Sequence, residues 1–220
     1  MSHWPLFGLT IRTPRIELRY LDDEVMDELI EVAAAGIADD GRPMPFLSPW
    51  IRGERPGFDH RFRQWHWGGR ARLTAEDWVL PFAILVDGAL VGAQDLAAKA
   101  FPVARTVVTG SWLGLAHQGT GIGKEMRAAV LHLAFDGLGA QRAHTEAFED
   151  NPRSLGVTRA LGYEENGWTV LDREGVAAKE LRFVMTRERW LERRRGDITI
   201  DGLTEDVLEL LGLRERTADA

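Results

Sequence analysis

Residues 118–124 constrain this chain more than any other segment. They read Gln-Gly-Thr-Gly-Ile-Gly-Lys, after a predicted strand and at the start of a predicted helix. The first turn of a helix offers unpaired N–H groups and the positive end of the helix dipole, so it favours an anion. Glycines at alternate positions let the oxygens of a diphosphate approach the backbone. Taken alone, the segment predicts either a diphosphate-binding turn or a tight turn whose glycines serve packing.

Two common nucleotide-binding motifs do not match this turn. A P-loop requires glycine where Gln118 stands and serine or threonine where Glu125 stands. A dinucleotide-binding turn requires its third glycine at Lys124 and follows the first strand of its fold, whereas several predicted strands precede this one. Both interpretations are therefore weakened.

Composition excludes several classes of function. The chain has no cysteine, so disulfides, thiolate metal sites and thiol nucleophiles are absent. Its net charge of -7 argues against broad nonspecific binding to nucleic acid or to a membrane surface. No apolar run is long enough to span a bilayer, and the first residues do not resemble a signal peptide. We therefore expect a cytoplasmic protein. His60 and His66 do not share one helix face, so we also expect no metal site.

Hydrophobic periodicity predicts a mixed α/β fold. A domain over residues 1–187 precedes a C-terminal appendage, 188–220, with a short amphipathic helix over 203–213. An isolated helix of that length is marginal in water, so its own domain or a symmetric partner must cover it. We expect a homodimer or a higher homo-oligomer. The predicted strands cover 10–21 (an edge strand), 78–86, 89–98, 106–115, 142–148, 168–172 and 176–185. The predicted helices follow Asp22, cover 58–72 with an end near Gly68-Gly69, begin at Ile122, and begin at Pro152 after an Asn151 cap.

Three motifs together resemble one enzyme superfamily. Gln118-x-x-Gly121-x-Gly123 resembles the Arg/Gln-x-x-Gly-x-Gly/Ala signature of the GNAT superfamily of acyl-CoA N-acyltransferases. Residues 9–19 resemble the opening of its RimJ/RimL-like branch, and residues 151–154 and 160–163 resemble that branch's Asn-x-x-Ser and Leu-Gly-Phe/Tyr segments. The order of predicted elements agrees, and the similarity covers about residues 9–187.

The resemblance implies a central, mostly antiparallel sheet flanked by helices and splayed at an acyl-CoA cleft. Acetyl-CoA or another acyl-CoA would be the cosubstrate, with no metal. The residues that the resemblance implies in binding are Trp112, Leu113 and Leu115 for the pantetheine, Gln118, Gly119, Thr120, Gly121, Ile122, Gly123 and Lys124 for the diphosphate, and Asn151 and Ser154. The side chain of Trp112 is equally explained as a core aromatic at a strand end.

The implied activity is transfer of an acetyl or other short acyl group, such as succinyl, to a primary amine of a small molecule or a protein N-terminus. Ser154 would give a proton to the departing thiolate, because Thr158 stands where many relatives carry a tyrosine. Asn151 is either a helix cap or a ligand of the pantetheine or the acceptor. Val108 stands where many relatives carry a glutamate, which favours the alternative of a non-catalytic acyl-CoA-binding or sensor module.

The base is open at this point. Glu149 completes the catalytic set with Ser154 and Asn151, and each candidate is as easily explained as a surface or structural residue. The other candidates are Asp95, Glu146, Glu174, His117 and His144.

Residues 41–73 and the final hairpin are expected to form the acceptor side. An aromatic and basic wall there suits an acidic or aromatic acceptor or a carboxylated acyl group, and it equally suits a packing or subunit interface. The residues of this wall are Trp50, Trp65, Trp67, Arg61, Arg63, Arg70 and Arg72.

Overall fold

A computed structural model describes residues 4–39 and 41–213. Nine strands form one sheet in the order β7-β8-β6-β5-β4-β3-β2-β1-β9. Only the β5–β6 pair is parallel, so the prediction of a mixed fold with a mostly antiparallel sheet is confirmed. The strands are β1 (Thr10–Arg12), β2 (Ile16–Tyr20), β3 (Asp77–Val86), β4 (Ala89–Lys99), β5 (Thr106–Leu113), β6 (Arg142–Phe148), β7 (Glu164–Arg173), β8 (Val176–Thr186) and β9 (Thr199–Asp201).

Helices cover both faces of the sheet. The helices are α1 (Met26–Ala34), α2 (Gly57–Ala71), α3 (Phe101–Ala104), α4 (Ile122–His132), α5 (Pro152–Ala160), α6 (Arg187–Leu191) and α7 (Glu205–Leu210). The larger core lies under α4, and a second core lies under α1 and α2. Alternation along each strand therefore sends successive side chains into different cores. None of the described helices is long and apolar enough to cross a membrane.

The prediction of one edge strand over 10–21 was wrong. This stretch forms two antiparallel strands, β1 and β2, because the chain reverses at Thr13 and Pro14. The Thr13 N–H donates to the Ile16 carbonyl at 3.0 Å, and the Thr13 hydroxyl accepts from the Ile16 N–H at 3.2 Å. The edge position belongs to β9, which pairs with β1.

Two boundaries also differ from the predictions. Helix α2 continues through Gly68 and Gly69 to Ala71, where Arg70 donates to the Leu21 carbonyl and holds the last turn against the sheet. Strand β5 ends at Leu113, and the chain then turns into a short 3-10 segment. The Asp87-Gly88 hairpin turn between β3 and β4 forms as predicted, with positive φ at both residues.

The C-terminal segment packs on its own domain. Val207 and Leu211 are fully buried in the α4-side core, together with Trp190 and Ile198. The Thr204 hydroxyl caps α7 by accepting from the Val207 N–H. The apolar face of α7, which we expected either its own domain or a partner to cover, is thus covered by its own domain. Residues 1–3, 40 and 214–220 of the predicted domain and appendage lie outside the described residues.

Candidate functional site

The parallel strands β5 and β6 separate along their length. They pair only from Thr106 with Arg142 to Val108 with His144. Beyond that point β5 stays with β4, and β6 stays with β8. A V-shaped gap therefore opens in the middle of the sheet, and its two arms expose backbone groups that a bound chain could pair with.

A buried arginine bridges the two arms of this gap. Arg127 of α4 donates to the Thr145 hydroxyl on β6 at 2.8 Å and to the Ser111 hydroxyl on β5 at 3.0 Å. It also reaches the Gln94 side-chain oxygen at 3.4 Å. Arg127 is 4% exposed, and the three side chains that hold its buried guanidinium are all neutral. The sequence did not predict a role for Arg127, because α4 is buried on several sides and Arg127 lies among its buried apolar residues.

The glycine turn lies at the mouth of the gap. Gly119 and Gly121 have φ of 76° and 90°, which an L side chain rarely adopts. Among the described residues, the N–H groups of residues 119–123 have no hydrogen-bond acceptor, since the first bonds of α4 come from Lys124 and Glu125 to the Gly121 carbonyl. The turn thus presents consecutive free donors at a helix start.

Two of these glycines lie close to side chains of other elements. A Cβ on Gly123 would lie 3.3 Å from Val157 of α5, so the missing side chain lets α4 and α5 approach. A Cβ on Gly121 would lie 3.4 Å from the guanidinium of Arg15. Arg15 pairs with Glu125, whose pKa is lowered by hydrogen bonds from Thr13 and Arg15 against the opposing effect of its burial. The start of α4 is therefore anchored to the β1–β2 turn.

A cavity of about 560 Å³ connects the gap, the glycine turn and α5. Nine of the predicted site residues line it: Trp112, Leu113, Gln118, Gly119, Gly121, Gly123, Lys124, Asn151 and Ser154. The Gln118 side chain donates to the carbonyls of Ile37 and Leu113 and accepts from Arg153 at 2.7 Å. It thereby ties the end of β5 to the loop after α1 and to α5.

Four predicted site residues do not line the cavity. Leu115 lies in the 3-10 segment after β5, and its N–H already donates to the Gly36 carbonyl, so it is not available to pair with a ligand in the gap. Glu149 is directed to Lys179, with 2.8 Å between Oε1 and Nζ. Thr120 and Ile122 point away from the cavity: Thr120 caps the turn through the His117 carbonyl, and Ile122 is buried in the core.

Helix α5 brings Asn151 and Ser154 to the cavity wall. The Asn151 side chain accepts from the Ser154 N–H at 3.2 Å, which is a helix cap. Ser154 is half-buried and lines the cavity. Thr158, one turn later, is fully buried and faces the core.

The loop after α1 closes over the gap and is held by the last hairpin. Arg52 pairs with Glu174 through two hydrogen bonds of 2.9 and 3.0 Å. Arg173 donates to Asp150 at 2.9 and 2.6 Å and to the Met44 carbonyl at 3.3 Å, and its guanidinium lies 4.2 Å from the Phe148 ring centre. These contacts keep the loop and hairpin together on one side of the cavity.

The residues of the predicted aromatic and basic wall do not line the cavity, and Trp50 takes the alternative role of packing. Arg63 and Arg70 pair with Asp27 and Asp23 beside α1, and Arg61 donates to the Arg52 carbonyl. Trp50 packs against Trp112 and Phe62 at ring-centre distances of 5.6 and 5.8 Å. These arginines are satisfied by neighbours from other elements. The cavity is lined on this side by Arg42, Pro43, Pro45 and Phe46.

The candidate bases have different environments. Glu146 lines the cavity and lies 3.8 Å from Arg182. Burial lowers the pKa of His144. Asp95 lies on β4 next to the gap, and burial raises its pKa to about 7. Val108 lies on the same face of the sheet as Asp95 and is 43% exposed. Its valine side chain supplies no carboxylate at the position where many GNAT relatives carry a glutamate.

Comparisons with known proteins identify the family. The model of the acetyltransferase (GNAT) domain matches residues 15–164. The chain belongs to the GNAT acetyltransferase family. This is an enzyme family of acyl transfer that uses acetyl-CoA.

Three solved structures share the GNAT fold with this chain. RimJ of Mycobacterium smegmatis, in complex with CoA-disulfide, has a TM-score of 0.67 at 20% identity over 90% of this chain and 99% of that one. The ribosomal-protein-S5-alanine acetyltransferase of Vibrio fischeri has a TM-score of 0.65 at 14% identity, over 82% and 98% of the chains. The spermidine/spermine N-acetyltransferase SpeG of Vibrio cholerae has a TM-score of 0.61 at 15% identity, over 81% and 98%. At these identities the likeness shows the fold.

The residues present fit coenzyme A. The consecutive free donors of residues 119–123, at a turn without side chains that block approach, suit the diphosphate. The separated arms of β5 and β6 suit an extended pantetheine arm. Within the described residues, no group of three or more side chains has the composition of a metal site.

Proposed function

We propose that this GNAT protein transfers an acetyl group, or another short acyl group such as succinyl, from coenzyme A to a primary amine. The acceptor is a small molecule or a protein N-terminus. The observation that carries the proposal is the row of free N–H groups at residues 119–123, because it lies at the mouth of the gap between β5 and β6. Acyl-CoA supplies the acyl group as a reactive thioester.

On the coenzyme side, the main chain does most of the binding. The N–H groups of the glycine turn hold the diphosphate, and the Lys124 ammonium adds positive charge at the cavity wall. We assign the pairing with the pantetheine amides to backbone groups on the free arm of β5 that face the gap, the Leu113 N–H among them. The backbone groups of Trp112 are directed to Ala93 on β4, because the Gly114 N–H donates to the Val91 carbonyl and an antiparallel strand alternates from residue to residue. An exposed N–H on this arm stabilises the oxyanion that develops on the thioester.

On the chemical step, Ser154 gives its hydroxyl proton to the departing thiolate. Its support is its place at the cavity wall, at the first turn of α5, fixed by the Asn151 cap. Asn151 positions Ser154 through this cap. Glu149 has no part in the proposal, because its carboxylate pairs with Lys179 outside the cavity.

The acceptor side is formed by the loop over residues 41–52 and the β7–β8 hairpin. Of the loop, Arg42 lines the cavity, and it pairs with Asp39, which also pairs with Arg153 of α5. Glu146 of β6 adds a carboxylate to the cavity lining. We propose further that the protein is cytoplasmic and has neither nucleic acid nor membrane as a partner. The expected homodimer or higher homo-oligomer stays a prediction without the support of α7, because its own domain covers the apolar face of that helix. Light scattering at micromolar concentration tests the dimer, and a monomeric mass contradicts it.

The experiment that tests the function combines binding with transfer. Acetyl-CoA should raise the melting temperature by mass action. Incubation with acetyl-CoA and a panel of amines, namely spermidine and peptides with free N-termini, should release thiol only when an amine is added, and the amine should gain the mass of an acetyl group. Binding without transfer to any amine contradicts the proposal and favours the sensor module, which the absence of a carboxylate at Val108 supports.

A further inference from the structure

Asp95 is a carboxylate in the middle of the sheet, on the face opposite α4. Its neighbours on β4, Gln94 and Leu96, face the α4 layer, since Gln94 meets Arg127 and Leu96 is fully buried there. Alternation along the strand sends Asp95 to the other face. Its cross-strand neighbours on that face are Pro81 on β3 and Gly110 on β5.

Within the described part of the chain, no hydrogen bond or ion pair is made to this carboxylate. The residue reaches the surface only in part, and its Oδ1 atom is buried without a hydrogen-bond partner among the described residues. A buried polar atom without a partner lowers stability, and a buried charge lowers it more. Burial alone raises the pKa of Asp95 to about 7. Asp95 therefore weakens the fold where it stands, which is typical of a group kept for its chemistry.

Neighbouring charged groups do not explain the raised pKa of Asp95. Pro81 and Gly110 do not titrate, and α1 and α2 are the helices packed on this face of the sheet. The acidic groups of α1 and α2 that the structure pairs are held by arginines, in the pairs Arg63–Asp27, Arg55–Glu31 and Arg55–Asp59. The remaining titratable side chains of the two helices are Glu28, His60, Arg61, His66 and Arg70, and Asp77 stands at the start of β3. None of these groups shifts the pKa of Asp95, which responds to burial.

Asp95 also lies beside the cavity. Gly110, its cross-strand neighbour, lines the cavity on the unpaired arm of β5. A Cβ on Gly110 would meet no atom within 4 Å, so the space on this face beside Asp95 is open. Adjacent strands are about 4.8 Å apart, so one strand separates the carboxylate from the gap. The Gln94 side chain donates to the carbonyls of Asp95 and Gly110 at 3.0 and 2.7 Å and fixes the two backbones at this point.

We propose that Asp95 is the general base that accepts the proton of the acceptor amine, directly or through one water molecule. This role rests on the proposed function. The amine nitrogen forms a bond to the thioester carbon, its proton passes to the Asp95 carboxylate, and the carbon–sulfur bond breaks. The sulfur leaves with the proton of Ser154, and solvent carries the proton from Asp95 back to Ser154.

The test compares Asp95→Asn with Asp77→Asn in the full chain. Asp77→Asn removes an exposed carboxylate from the neighbouring strand, whose nearest cation, Lys99, is 3.9 Å away. With the best amine of the panel, Asp95→Asn should lower kcat at pH 7 by about 100-fold, in the range of a lost general base. Its affinity for acetyl-CoA should be unchanged. Asp77→Asn should change neither quantity.

The pH dependence separates a base from a structural residue. The wild-type rate should rise with an apparent pKa near that of Asp95, about 7, and Asp95→Asn should lose this limb. At alkaline pH, where the amine loses its proton to solvent, the two rates should converge. Wild-type transfer together with an unchanged rate and pH limb in Asp95→Asn overturns the role of Asp95 alone. Acetyl-CoA binding without wild-type transfer overturns the proposed function, and this role with it.

Discussion

The two sides of the cavity are built by different means. The coenzyme side consists of a glycine turn, the start of α4 and the free arm of β5, and its polar groups belong mainly to the backbone. On the proposed acceptor side, a loop without regular structure is joined to the β7–β8 hairpin by the side chains of Arg52, Arg173, Asp150 and Glu174. The conformation of the glycine turn depends on local sequence, although the Arg15–Glu125 pair anchors the helix that follows it. The loop and the hairpin are joined by side-chain contacts between distant residues, as between Arg52 and Glu174. We therefore expect changes on the first side to affect coenzyme binding and changes on the second to affect the acceptor.

The largest effect should come from Gly121→Asp on the coenzyme side. The new side chain enters a position with φ of 90° and places a carboxylate where the diphosphate binds. Affinity for acetyl-CoA should fall by about 100-fold or more. Gly88→Asp is the matched control, because it puts the same side chain on a glycine with φ of 80° in the β3–β4 turn, away from the cavity. Calorimetric titration measures both, and normal affinity in a folded Gly121→Asp protein contradicts the site.

Ser154→Ala should affect chemistry more than binding. Removing the hydroxyl keeps the N–H that donates to Asn151, so the helix cap remains. Turnover should fall by about 10- to 100-fold, at the low end for a general acid because a thiolate is a tolerable leaving group. Steady-state kinetics beside a binding titration measure the split. Equal turnover in the two proteins reduces Ser154 to a helix residue.

Arg173→Ala should loosen the acceptor side and lower stability. The variant loses two hydrogen bonds to Asp150 and the contact with Met44 and leaves a buried space, so the free energy of unfolding should fall by about 2 kcal/mol at pH 7. Arg173 lowers the pKa of Asp150 below its ordinary 3.8, so this stabilisation is present above that value and is lost as the pH falls below it. Urea unfolding at pH 7 and pH 3 measures the difference between wild type and variant. An equal difference at both pH values shows that the ion pair is not the source.

The smallest effect should come from Arg52→Ala. Both partners of the Arg52–Glu174 pair are exposed, so the pair contributes little to stability. Its loss should raise KM for the amine by about 3-fold through a less fixed loop, with the affinity for acetyl-CoA unchanged. Lys99→Ala, an exposed cation remote from the cavity, should leave KM unchanged. A larger effect on coenzyme binding than on KM would show that the two sides are not separate.

The same contrast explains what the sequence could predict. The glycine turn, the Asn151 cap and the Asp87-Gly88 hairpin depend on neighbours within a few residues, so their sequences predicted them. Strand and helix periodicity predicted the order of elements, and the resemblance of three motifs to the GNAT superfamily implied the mostly antiparallel sheet. Residues 10–21 alternate polar and apolar side chains as one long strand would. They form two strands because the chain reverses at Thr13 and Pro14, which the alternation does not indicate.

Long-range contacts escaped the sequence analysis. An arginine-rich helix, α2, predicted a basic wall, and the structure pairs its Arg63 and Arg70 with acidic residues after β2 and on α1. Arg127 bridges β5 and β6 from a helix whose pattern gives no sign of a polar contact. The resemblance implied Leu115 in the gap, but β5 ends two residues earlier, at Leu113, and the chain then turns toward Gly36. These outcomes depend on which elements become neighbours, which periodicity does not specify.

The most direct test of the account is a crystal structure of the protein with coenzyme A. The diphosphate oxygens should lie within hydrogen-bond distance of the N–H groups of residues 119–123, and the pantetheine arm should lie between β5 and β6 with its sulfur near Ser154. Coenzyme A bound elsewhere, or a diphosphate held away from the glycine turn, would contradict this account.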